Sequence, residues 1–141
     1  MQKLREEVAR RAREKIGNGL RIIQVENGLI FEHRNASHFV AEINLENPCI
    51  TVPVTAEFRD HPDYDEEELV DRAMELLRPR LREYHRRGYD IRETDFQPGY
   101  DAAGYGDHSV PVFIAFVQRW LDDDEELFDE LSWLLERLPA K

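Results

Sequence analysis

Five histidines, one cysteine and two runs of carboxylates are the residues in this sequence whose types could do chemistry. His33 and His38 flank one turn and could approach each other, but no third ligand falls beside them. No Cys/His spacing matches a zinc site, and no two histidines stand four apart on a helix. His108 and Ser109 invite a base-and-nucleophile reading. Neighbours on a strand face opposite sides, however, and no Gly-x-Ser-x-Gly elbow is present. Cys49 sits in a strand-like alternation and reads as a small packed residue, not a nucleophile. Carboxylates dominate residues 63–68 and 122–126, and each run stands where a helix begins. There a carboxylate caps free amides and meets the positive end of the helix dipole, an effect of about 0.3–1 kcal/mol per charge. Neither run has the spacing of a calcium loop. The sequence thus assigns no catalytic residue, no metal site and no cofactor, and the chain reads as a non-enzyme.

Three other features bear on binding. The basic cluster Arg78, Arg80, Arg82, Arg86 and Arg87 could hold an anion. It falls in the C-terminal half of a helix, where cations suit the dipole, and no glycine-rich loop supports a phosphate site, so it reads as a solvated face. Residues 98–107 are glycine-rich and carry Tyr100 and Tyr105. Lacking P-loop or dinucleotide spacing, they read as a hairpin loop or as a tyrosine-bearing contact loop. Trp133 falls on the charged side of the last helix, among Asp129, Glu136 and Arg137. A tryptophan so placed is an interface anchor, or else lies flat over aliphatic stems. Trp120, at a strand end, reads as core.

The length of 141 residues suffices for one domain with a real core, and 41% hydrophobic with 35% charged residues excludes disorder. A net charge of −11 would repel phosphates, so no nucleic acid is expected as a partner. Lysine is scarce, three against sixteen arginines, and the acidity fits either a basic partner or a saline host. The longest mostly apolar stretch, residues 110–117, is too short for a bilayer, and residues 1–7 lack the apolar centre of a signal peptide. With a single cysteine, no internal disulfide is possible. A cytoplasmic protein without membrane contact is the expectation.

Periodicity supplies the elements that must position these residues. Residues 2–16 read as a helix with a thin stripe of Leu4, Val8, Ala12 and Ile16, ended by Gly17-Asn18-Gly19. Residues 20–26 and 29–34 form a hairpin about Asn27-Gly28, the pair favoured in a type I′ turn. Residues 38–45 and 49–58 alternate apolar and polar, so the sheet has one dry face, and Pro53 points to an edge strand or bulge. A second helix starts near Asp63 or Asp65 with Leu69, Val70, Ala73, Leu76 and Leu77 buried, extended by Leu81 and Tyr84. Pro79 either kinks it or starts another helix, and Gly88 stops it. A polar strand at 89–96, a loop at 97–107 and an apolar strand at 108–118 follow. That last strand is apolar on both faces, as a central strand should be. The third helix spans 122–138, its stripe formed by Leu127, Phe128, Leu131, Leu134, Leu135 and Leu138. The result is a single α+β domain, an antiparallel sheet with helices in the order α-β-β-β-β-α-β-β-α.

That order resembles the type III secretion chaperones and the related YbjN-like proteins. It does so over nearly the whole chain, from the helix ending at Glu14-Lys15-Ile16-Gly17 through the Asn27-Gly28 hairpin to the terminal helix. The resemblance implies a homodimer that binds an extended segment of a protein partner by strand addition or groove filling. The surfaces expected to serve are Trp133, the last strand through Val112, Ile114 and Phe116, and the loop bearing Tyr100 and Tyr105. The alternatives are an acidic immunity protein that neutralises a basic toxin, or a small enzyme built on His33, His38 or His108.

Overall fold

The computed structural model describes residues 2–16, 19–33, 39–57, 66–97 and 112–137. The elements are α1 (Gln2–Ile16), β1 (Leu20–Val25), β2 (Gly28–His33), β3 (Phe39–Asn44), β4 (Cys49–Glu57), α2 (Glu66–Arg86), β5 (Asp90–Gln97), β6 (Val112–Trp120) and α3 (Asp124–Arg137). The fold is α+β, with one antiparallel six-stranded sheet in the order β1-β2-β3-β4-β6-β5. By compactness the chain divides into two units, residues 1–52 with 118–141 and residues 53–117, and the division passes through β4 and β6. No described helix is long and apolar enough to cross a membrane.

In the first unit, α1 buries Val8, Ala9 and Ala12. These side chains are small enough to bring the helix backbone close to its neighbours. Its outer side is laced by Glu7 with Arg10 and Arg11, and by Arg10 with Glu14. Hydrogen bonds from Arg10 and then Arg11 hold the Glu7 carboxyl down at about 2, from an ordinary 4.5. The first hairpin forms, but its turn lies one residue earlier than the Asn-Gly pair indicates. Val25 pairs with Gly28, so Glu26 and Asn27 make the turn, and neither adopts a positive φ. The turn is therefore not type I′. Gly28 is needed for another reason, because a Cβ there would fall on the carbonyl oxygen of Ile43 in the next strand. β2 and β3 present Leu29, Phe31, Ala41 and Ile43 to the core, and a bulge at Val40 interrupts their register. The Asn44 side chain accepts from the amides of Glu46 and Asn47 at 3.0 and 3.1 Å, which turns the chain into β4.

Two features of this unit are not visible in the alternation. Thr51 stands at a polar position of the β4 alternation but is only 3% exposed. The Gln118 amide lies across it, donating to Thr51 Oγ1 at 3.2 Å and to Cys49 Sγ at 3.6 Å. The second is Glu130, a carboxylate on α3 that is 1% exposed and ion-paired to Arg119 at 3.0 Å. Arg119 also grips Glu126 at 2.8 Å, one turn earlier on α3, so a single guanidinium clamps the helix to the end of β6. The acidic start of α3 works as a cap, with Asp123 accepting from the Glu126 amide at 2.8 Å.

In the second unit, α2 buries Leu69, Ala73 and Leu77 at four-residue steps, and Leu81 and Tyr84 are half-buried. Leu76 belongs to the exposed side (62% exposed), which corrects its place in the expected stripe. Pro79 neither ends the helix nor starts another, because α2 runs through it without a break on its exposed side. Pro53 is not on an edge strand either. β3 pairs with β4 only as far as Thr51, so the proline follows the end of that ladder, where its missing N–H is tolerated. In β6, Val112, Phe113, Ile114, Ala115 and Val117 are all buried, as a strand between β4 and β5 requires.

Breaking the clamp by Arg119→Met leaves the Glu130 carboxylate buried without its cation. It should cost about 3 kcal/mol in urea unfolding, while the double variant R119M/E130L should recover most of that loss. The lowered Glu7 value has a definite sign. Its contribution is fully present above pH 4.5 and disappears as the pH falls towards about 2. A stability difference between the native chain and Glu7→Gln should therefore narrow over that interval. Being a surface network, it will also shrink with added salt.

Candidate functional site

The only positive φ among the described residues belongs to Gly88, at 95°, and it sets the geometry of the site. The Tyr89 amide donates to the Tyr84 carbonyl at 3.0 Å and the Gly88 amide to the His85 carbonyl at 3.0 Å. These are the paired bonds of a Schellman cap, which needs a left-handed residue at Gly88. The hydrophobic contact of that motif is present as well, since the Tyr84 and Tyr89 rings meet edge to face with centroids 5.2 Å apart. Tyr89 is thereby buried at the corner, and β5 is sent back beside the helix it has just left.

Between them lies a groove of about 300 Å³, lined by Met74, Arg78, Leu81, Arg82 and His85 of α2, Tyr89 and Ile91 at the start of β5, and Val117 of β6. The α2 members recur at three- and four-residue steps and so share one flank of the helix. Leu81, Tyr89, Ile91 and Val117 give it an apolar floor, and Ile91 remains 46% exposed. Its rim is basic. His85 lies 3.4 Å from Asp90, and its Nδ1 is 3.3 Å from the Tyr89 carbonyl. Arg78 and Arg82 are exposed, and among the described residues neither has a carboxylate partner. Residues 91–95 of β5 are all exposed, and among the described residues β6 is the only neighbour of β5 in the sheet order.

A second depression, about 330 Å³, lies between α1 and α3 and is lined by Arg10, Arg11, Glu14, Lys15, Leu131, Ser132 and Leu135. Its charges are already paired internally. Arg10 binds Glu7 and Glu14, Arg11 binds Glu7 and lies 4.0 Å over the Phe128 ring, and Lys15 reaches Glu136 at 3.4 Å. It therefore offers a ligand less than the groove of α2 does.

The residues expected at a partner surface fare differently. Val112 and Ile114 are buried, so they present no surface, and Phe116 is half-buried. Trp133 is half-buried, and the Arg137 guanidinium from the next turn of its own helix lies 3.9 Å over the ring. Tyr100 and Tyr105 lie outside the described residues, as do His38, His61 and His108. Trp120, expected in the core, is 63% exposed. Among the described residues, no group of three or more histidine, cysteine or carboxylate side chains could hold a metal ion. The groove was missed because its arginines were grouped by sequence proximity. Arg78 and Arg82 line it, whereas Arg80 lies on another flank and donates to the Thr55 carbonyl at 3.3 Å. The readable signal was the row Met74, Arg78, Leu81, Arg82 and His85 followed by Gly88.

No protein-family model, curated protein or solved structure matches this chain.

Substituting Gly88→Ala forces a Cβ into the left-handed region and should destabilise the chain by about 1–2 kcal/mol. Gly88→Asn, which tolerates that region better, should cost less. Urea unfolding midpoints of the two variants provide the comparison.

Proposed function

We propose that this chain is a non-catalytic protein-binding domain, a homodimeric chaperone or adaptor of the secretion-chaperone-like kind, that takes up a segment of another protein in the groove between α2 and β5. The observation that carries this reading is the groove itself, where an apolar floor and two guanidiniums without a carboxylate partner among the described residues adjoin a strand that, among those residues, has a neighbour on one side alone. Strand addition supplies affinity through the backbone, and a side-chain groove beside the edge supplies selectivity. A buried single cysteine agrees with work in the cytoplasm. The acidic residues 122–125, which an inhibitor of a basic toxin would use, begin α3, and Asp123 is occupied as its cap. The groove reading is therefore preferred.

The other outer strand of the sheet, β1, is the better place for a second copy. An antiparallel pair of identical strands about a twofold axis sets one residue against its own mate. Centred on Ile22 or Ile23, the sequence of β1 brings no like charges together, because Arg21 is its only charged residue. An apolar edge with one charge tends to find a partner strand.

Light scattering at micromolar concentration should give the mass of two 16.7 kDa chains. Ile23→Lys sets the new cation against its own mate or against Arg21 of the second copy, and should yield a monomer with an unchanged circular dichroism spectrum. A native chain that is monomeric would remove the homodimer from this reading. A dimer that persists in the variant would place it elsewhere than β1.

A further inference from the structure

We infer that the segment bound in the α2–β5 groove is aliphatic and acidic where it meets the helix, and that it joins the open edge of β5 as a heterologous strand. This rests on the protein-binding reading and names the chemistry of the partner. Charge makes the first case. The chain carries −11 in total, yet the described rim of this groove offers Arg78, Arg82 and His85. At a Debye length of about 8–10 Å in ordinary salt, an approaching side chain responds to the nearest charges and not to the distant excess. Asp90 lies 3.4 Å from His85, and neither arginine has a carboxylate partner among the described residues, so the two guanidiniums dominate.

Spacing makes the second case. Arg78 and Arg82 stand one turn apart, which puts their Cβ atoms about 5–6 Å from each other. Alternate residues of an extended strand lie about 6.5–7 Å apart on one side. Two alternate carboxylates of an added strand thus match two guanidiniums, each able to bind its carboxylate through two N–H groups. An aliphatic residue at the next alternate position, on the same side as the carboxylates, reaches the floor formed by Leu81, Tyr89, Ile91 and Val117.

β5 also limits who can bind. Glu93 and Asp95 follow Ile91 on the same side of the strand, so an occupant acidic along its whole length would meet them. The acidic part is confined to the end nearest Ile91. The same residues disfavour a second copy of β5. Self-pairing centred on Glu93 opposes two glutamates, and centring on Thr94 sets Glu93 against Asp95.

The test uses the whole chain and peptides of eight residues, the length of β5, each made in both chain directions. The first is Glu-Ser-Glu-Ser-Leu followed by three Ser/Thr residues, which sets both glutamates and the leucine on one side of the strand. The second replaces Glu by Lys, and the third replaces Leu by Ser. Fluorescence anisotropy should show the first bound and each of the others weaker by about tenfold or more. Added salt should weaken binding of the first. The double variant R78E/R82E should lose about tenfold for the first peptide, whereas K3E/R13E, which changes net charge equally, should not. Equal binding of the Lys peptide, or binding unchanged in R78E/R82E, would overturn the inference while leaving a peptide-binding protein. Binding of none of the peptides overturns it as well. A partner segment then caught at another surface by crosslinking in the native host would keep the broader reading, and capture of no protein there would end both.

Discussion

The corner at Gly88 and Tyr89 is the constraint on which the candidate site depends. A helix of 21 residues ends in a left-handed glycine, its last carbonyls are satisfied by the next two amides, and two tyrosine rings lock the reversal. The cap has a second consequence. With the turn so short, the first residues of β5 return alongside the last two turns of α2, and the space between holds side chains from both. Ile91 and Leu81 line one floor because the reversal takes place within Arg87 and Gly88. A looser connection would leave the same residues on separate surfaces.

Electrostatics divides along the same lines. Part of the acidity is local and structural: Asp123 caps α3, Glu126 and Glu130 hold Arg119, and Glu7 is shared by Arg10 and Arg11. Carboxylates committed in this way neutralise the arginines around them. Arg78 and Arg82 have no such partner among the described residues. In a chain with an excess of eleven negative charges, two cations without carboxylates beside an apolar floor are a local inversion of the general pattern. That inversion separates the α2 groove from the similarly sized depression between α1 and α3, where every cation named is engaged.

Much of the fold was legible in residue order because it rests on period and on punctuation. The stop at Gly88, the apolar β6 and the order of nine elements follow from signals a few residues long. What escaped depends on neighbours distant in sequence. Glu130 looks like one more surface carboxylate on an acidic helix until Arg119 stands beside it. Leu76 and Trp120 carry apolar side chains at positions where the packing happens to leave them exposed. The Asn27-Gly28 pair misled by one residue because Gly28 is required for the close approach of Ile43 and not for a positive φ. The groove combines an α2 flank with β5 and β6, and no single window of the sequence contains all three.

Amide NMR of the native chain during titration with the peptide carrying two glutamates and a leucine tests the central claim most directly. The account predicts that shifts concentrate between Met74 and Asp95, strongest at Leu81, His85 and Ile91. Protection from hydrogen exchange should appear along β5, where backbone amides gain partners. Shifts confined to Trp120, Trp133 or the α1–α3 depression, with β5 unchanged, would contradict it.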